Sequence, residues 1–149
     1  MLGRDYENLN CSIARALERV GERWTLLILR DACLRDVRRF SDFQRSLGIA
    51  RNILATRLRQ LCADGLLERR VENGHPDRVE YHPTPQALDL YTGLAALMQW
   101  GDRYLAPNGP PALIEHAGCG GAAVVSVTCA GCGAELRSGD LHGRRGPGG

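Results

Sequence analysis

The sequence predicts a mainly α-helical fold carrying one β-hairpin, followed by a small glycine-rich extension. Three observations predict it. Apolar residues recur at helical spacing from residue 11 to residue 105. A turn-rich run, Asn73-Gly74-His75-Pro76-Asp77, separates two short extended stretches. Beyond residue 111, large apolar side chains become sparse and glycine becomes frequent.

The elements follow in order. Ile13, Ala14, Leu17 and Val20 share one helical face, and Gly21 interrupts the pattern, so residues 11–20 read as a first helix. Residues 24–34 are nearly all apolar and too many for a buried strand. They read as a second helix with Trp24, Leu27, Ile28 and Cys33 available to the core. Ser41, Phe43 and Leu47 mark a short helix ending at Gly48, and a further helix runs from about residue 50 to residue 63, where Asp64 and Gly65 stop it. Residues 67–72 and 78–83 then form the two arms of the hairpin. Thr84 is placed to cap a last helix of about twenty residues, with Pro85 in its first turn and Leu88, Tyr91, Leu94, Ala95, Met98 and Leu105 at helical spacing. No internal repeat is evident.

Composition narrows the function. The 149-residue length suits one ordinary core with a small appendage, and 44% hydrophobic and 24% charged residues are globular values. Charge interrupts every apolar stretch before it reaches membrane-spanning length, and residues 1–10 lack an apolar signal core, so a cytoplasmic chain without a membrane partner is expected. No nucleophile with a plausible base, phosphate-cradling loop or recognisable carboxylate pair points to an enzyme. The net charge of +2 does not by itself indicate nucleic acid. Its distribution is more telling, because residues 38–82 hold nine arginines against six carboxylates.

On a helical wheel of residues 50–63, Leu54, Leu58 and Leu61 occupy one face, and Asn52, Thr56, Arg59 and Ala63 lie opposite. Small and polar side chains let a helix enter the major groove of double-stranded DNA, where Asn suits adenine and Arg suits guanine. Arg51 at the helix start and Arg57 on its flank are placed for phosphates. His75 and Arg78 flank the hairpin tip, and Arg69 and Arg70 add positive charge along it, so the hairpin can act as a wing against a minor groove or backbone. The same stripe also describes the solvated face of an ordinary amphipathic helix. Helix, turn, helix, hairpin and long helix in succession favour the DNA-binding arrangement, a winged helix-turn-helix. The alternative is a winged-helix module that binds a partner protein without sequence-specific DNA recognition.

Between residues 11 and 105 the chain resembles the HxlR-type winged-helix regulators of bacteria and archaea, which are related to the MarR regulators. The resemblance rests on Cys11-Ser-Ile-Ala-Arg-Ala-Leu, Glu22-Arg-Trp-Thr-Leu-Leu-Ile-Leu-Arg, Arg39-Phe-Ser-Asp-Phe-Gln, Gly48-Ile-Ala-Arg-Asn-Ile-Leu-Ala-Thr-Arg-Leu, Asp64-Gly-Leu-Leu, Tyr81-His-Pro-Thr and Trp100-Gly-Asp-Arg-Tyr-Leu. It implies a homodimer joined by the first and last helices, presenting two reading helices to a partly palindromic operator. Ala50 departs from the capping Ser common in the family, which leaves the reading helix with a weaker start. Cys11 matches the cysteine that senses oxidants or electrophiles in some relatives, and a helix start favours its thiolate. Its plainer reading is a small residue at the dimer interface. The inducing ligand is not legible.

The tail carries His116-Ala-Gly-Cys119-Gly and Cys129-Ala-Gly-Cys132-Gly, with nine residues between Cys119 and Cys129. Paired ligands at two-residue spacing, each followed by glycine, look like the turns of a zinc-ribbon. A structural Zn²⁺ on His116, Cys119, Cys129 and Cys132 would order a tail that has no core. His142 is an alternative fourth ligand, and a Cys129–Cys132 redox pair or a disordered tail with free thiols are alternative readings. The expected organisation is a winged-helix domain over residues 8–106, a linker over 107–112, a zinc-ribbon-like tail over 113–142 and a disordered end over 143–149.

Overall fold

The computed structural model describes Tyr6 and residues 9–149; the expected domain start at Asn8 lies outside the described residues. The chain divides into two compact units, Met1–Leu94 and Ala95–Gly149. The division falls within the last helix, upstream of the segment whose composition suggests a linker.

The first unit contains α1 (Ser12–Val20), α2 (Arg23–Leu34), α3 (Phe40–Leu47), α4 (Arg51–Ala63), β1 (Leu67–Glu72), β2 (His75–Pro83) and α5 (Pro85–Asp89). Its core is one cluster in which Ile28 and Leu29 of α2, Phe43 of α3, and Leu54, Leu58 and Leu61 of α4 meet Leu66, Leu67 and Ala87. Burying these side chains is what holds three short helices together, since helices of 8 to 13 residues are marginal alone.

Local chemistry sets the boundaries. Gly48 ends α3 in the left-handed region at φ 61°, which glycine adopts without a Cβ penalty, and buried Ile49 then anchors the turn into α4. Ala50 precedes α4 with no side-chain cap. Thr84 caps α5 by accepting from the Ala87 N–H and donates its hydroxyl to the Gly65 carbonyl at 2.7 Å. Asp31 is fully buried in α2, and its Oδ1 accepts from Arg30 at 2.6 and 2.9 Å.

Two expectations need correction. The long last helix is two helices, α5 and α6 (Tyr91–Leu105), because the Leu90 N–H reaches back three residues to the Ala87 carbonyl and tightens the backbone there. The hairpin loop is also shorter than the pentapeptide. β2 begins at His75, leaving Asn73-Gly74 as the turn, and the pairing slips between Val71 and Glu72 so that the sheet accommodates Pro76, which has no N–H to give the ladder.

In the second unit the tail holds two small hairpins. One is closed by the bridge Glu115↔Ala122, and the other by β3 (Val127–Thr128) pairing with β4 (Glu135–Leu136). They constitute an internal repeat with an offset of thirteen residues. The expectation of no internal repeat is thus also corrected: the sequence shows HAGCG and CAGCG as two similar motifs, and the shared backbone hydrogen bonds make them one repeated unit. A 3-10 turn, Ser138–Asp140, follows. No helix among the described residues is long and apolar enough to cross a membrane.

Candidate nucleic-acid interface

On α4 the leucines at positions 54, 58 and 61 are buried, which turns Arg51, Asn52, Thr56 and Arg59 outward. The outer side chains lie along the helix surface. Thr56 donates its hydroxyl to the Asn52 carbonyl at 3.0 Å, and Arg59 reaches Thr56 Oγ1 and the Ala55 carbonyl at 3.4 Å. Hydrogen bonds this long are weak, so Arg59 can leave them for a stronger acceptor at little cost.

Arg57 is placed differently from its neighbours. Its Nε lies 3.2 Å from Glu22 Oε2, and the same carboxylate caps α2 by accepting from the Trp24 N–H at 2.9 Å. The guanidinium expected to reach phosphate therefore lies beside the α2 cap in the free protein, as an ion pair whose Nε makes no hydrogen bond. Glu22 was not legible as a partner because thirty-five positions separate it from Arg57.

The wing is less basic than its arginines suggest. Arg70 pairs with Glu68 at 2.7 Å, Arg78 approaches Glu72 at 3.4 Å, and Arg39 approaches Glu80 at 3.6 Å. The Arg70 hydrogen bond holds the Glu68 carboxyl below its ordinary range, and the His82 hydrogen bond does the same for Glu80. Among the described residues Arg69 and His75 enter no ion pair, and both are exposed.

Residues from three separated segments form a groove of about 370 Å³ that sequence reasoning missed. Arg39, Phe40 and Ser41 at the start of α3, Arg51 at the start of α4, and Asp77, Arg78 and Val79 of β2 line it. Arg51 lies over the Phe40 ring at 5.1 Å, which holds its guanidinium at the groove. The Arg38 carbonyl accepts from the Tyr81 N–H at 2.8 Å, fixing the wing beside α3. Arg39 and Arg78 are partly neutralised by Glu80 and Glu72, and Asp77 shares the lining, so among the described residues Arg51 supplies the positive charge of the groove that enters no ion pair, a placement that suits an anionic backbone.

The cysteines fall into distinct environments. Cys11 is exposed at the cap of α1, where the Ala14 and Ile13 amide N–H groups and Arg15 lower its pKa. Burial raises the pKa of Cys33 and Cys62. In the tail His116 Nδ1 lies 3.3 Å from Cys119 Sγ, and the amides of Cys132 and Gly131 lower the pKa of Cys129. The structure thus brings the expected metal ligands together as two pairs. Among the described residues no group of three or more His, Cys, Asp or Glu side chains stands ready to hold an ion.

Residues 19–109 match the HxlR-like helix-turn-helix family. The chain is 46% identical over 138 residues to the HTH-type transcriptional regulator Rv3095 of Mycobacterium tuberculosis, a match covering 92% of this chain and 87% of that one. It resembles the crystal structure of the transcription factor PA1607 with a TM-score of 0.82 and 34% identity, covering 94% of this chain and 98% of that chain. The reduced form of the redox regulator HypR gives a TM-score of 0.58 at 26% identity, over 62% of this chain and 92% of HypR. With the winged helix-turn-helix and its outward polar helix in place, the chain belongs to the HxlR-like helix-turn-helix family of DNA-binding transcriptional regulators, which are not enzymes.

Proposed function

We propose that the protein works as a homodimer that reads a partly palindromic operator, with α4 entering the major groove and the wing against the flanking backbone. The observation that carries this reading is the outer face of α4, where Arg51, Asn52, Thr56 and Arg59 stand clear of the core beside the arginine-lined groove. Asn52 and Arg59 meet base edges. Arg51, Arg39, Arg69, His75 and Arg78 meet phosphates, and Arg57 joins them if it exchanges Glu22 for DNA.

Exposed apolar surface supports the dimer. Ile13 and Leu17 of α1 are 71% and 44% exposed, and Leu97, Trp100 and Tyr104 form an exposed stripe on α6 at 53%, 54% and 62%. Side chains of this size at helical spacing are covered when two copies associate. The test is binding of the purified chain to a fragment from upstream of its own gene, against scrambled competitor, over a salt series with the mass followed by light scattering. A dimer whose log affinity falls with log salt by about 0.9 per phosphate neutralised is expected. Salt-insensitive binding, or none at low salt, would instead indicate the protein-interaction module.

The Cys11 thiol is the proposed sensor of oxidants or electrophiles. Its exposure and amide-stabilised thiolate support this, as does the resemblance to a redox regulator. Because the lowered pKa keeps Cys11 ionised further down the pH scale than an ordinary thiol, alkylation by iodoacetamide at neutral pH should label Cys11 well ahead of Cys33 and Cys62. Mass mapping after brief labelling reads the order. Equal labelling of all three, or operator affinity unchanged once Cys11 is modified, would remove the sensor.

A further inference from the structure

The two tail hairpins share the pair of backbone hydrogen bonds that closes each turn. In the first, the Gly120 N–H donates to the His116 carbonyl at 2.8 Å and the His116 N–H donates to the Gly121 carbonyl at 2.8 Å. In the second, the Gly133 N–H donates to the Cys129 carbonyl and the Cys129 N–H donates to the Ala134 carbonyl, again at 2.8 Å. Gly120 and Gly133 take the same left-handed conformation, at φ 70° and 75°. Each turn therefore offers a donor atom at its first and fourth positions, His116 with Cys119 and Cys129 with Cys132.

Other details suit these turns to a metal. The Gly121 N–H points at Cys119 Sγ at 3.4 Å, which orients the sulfur within its turn. A Cβ on Gly118 would lie 2.9 Å from His116 Cε1, so the imidazole folds over its own turn and a side chain at position 118 would displace it. The link between the hairpins is held by Gln99, which donates to the Ala123 carbonyl at 2.9 Å and accepts from the Val125 N–H at 3.2 Å, and by the Ala123 N–H, which donates to the Ile114 carbonyl at 2.7 Å. No residue from 107 to 149 is buried, so these hairpins lack the apolar core that ordinarily sustains two-residue strands.

We propose that the tail is a binding site for one soft divalent metal ion, Zn²⁺ by its donor set, which draws the two hairpins together through His116, Cys119, Cys129 and Cys132. Three thiolates and one imidazole complete a tetrahedron, leave no open position for catalysis and favour Zn²⁺ or Co²⁺ over the harder cations. The ion supplies the cross-link that an apolar core supplies elsewhere. Loading releases three thiol protons, so uptake weakens as pH falls.

The experiment is a Co²⁺ titration of the reduced, chelator-treated full-length chain, followed by absorbance. One equivalent is expected to bring up intense thiolate-to-metal bands and tetrahedral ligand-field bands, both abolished by Zn²⁺. Loading should also shield Cys119, Cys129 and Cys132, but not Cys11, from a thiol reagent. A Cys129→Ser/Cys132→Ser double variant should lose the signal while keeping its helical circular dichroism, which shows that the first unit still folds. Absence of uptake, or uptake unchanged in the double variant, would overturn the proposal. So would saturation at two ions per chain, with each hairpin holding its own, or a Cys129–Cys132 disulfide in the protein as isolated with no affinity for Co²⁺.

Discussion

Leu58→Ala is expected to lower folding stability by about 2–5 kcal/mol, the range for deleting a fully buried leucine. Leu58 is 0% exposed and lies between Leu54 and Leu61, the other buried leucines of α4. The cavity would open beneath the face that presents Asn52, Thr56 and Arg59. Domains hold only about 5–15 kcal/mol in total, so one truncation removes a large share. A fall in Tm of about 10 °C is expected for a chain of this size, with specific DNA binding lost before helicity as temperature rises. Ile53 on the same helix is 38% exposed, and its truncation serves as the control that should cost far less. Thermal unfolding of both variants checks this. Equal stability of Leu58→Ala and the unaltered protein would show that α4 is not held by this core.

Arg59→Ala is expected to weaken operator binding by about 1–3 kcal/mol while leaving binding to random DNA nearly unchanged, as for the loss of a base-edge contact. Arg59 stands near the middle of the exposed face, and only its weak bonds to Thr56 and Ala55 must be given up. Arg51→Ala should behave otherwise. Its guanidinium lies in the groove with Arg39 and Arg78, so its loss should weaken both DNAs alike and reduce the salt slope by about 0.9, the share of one phosphate. Competition titrations at several salt concentrations distinguish the two. If Arg59→Ala weakened both DNAs equally, Arg59 would be a phosphate contact and the reading register of α4 would have to be redrawn.

Much of this was legible from residues alone because the signals are local. Apolar spacing with Gly48 and Gly65 delimits α3 and α4, and Thr84-Pro85 marks the start of α5. Where long-range pairing decides the outcome, the sequence is silent. The start of β2 at His75 depends on a bulge that only the partner strand defines, and the break at Leu90 depends on one backbone bond that periodicity does not register. The groove joins Arg39, Arg51 and Arg78 from three segments, so no window of sequence contains it. Likewise, the arginines of the wing read as free positive charge until the strand register sets Glu72 beside Arg78. The tail shows both cases, since HAGCG and CAGCG are visible as motifs whereas the shared backbone bonds around them are not.

The ion pair between Arg19 and Asp64, 2.7 Å long, joins the last turn of α1 to the residue that ends α4. Cys11 stands at the other end of α1, a rod about 13 Å long at 1.5 Å per residue. One helix therefore carries an exposed thiol at its N-terminal cap and, at its last turn, an arginine bonded to the residue that closes α4, so the two ends of α1 belong to different neighbourhoods of the same unit.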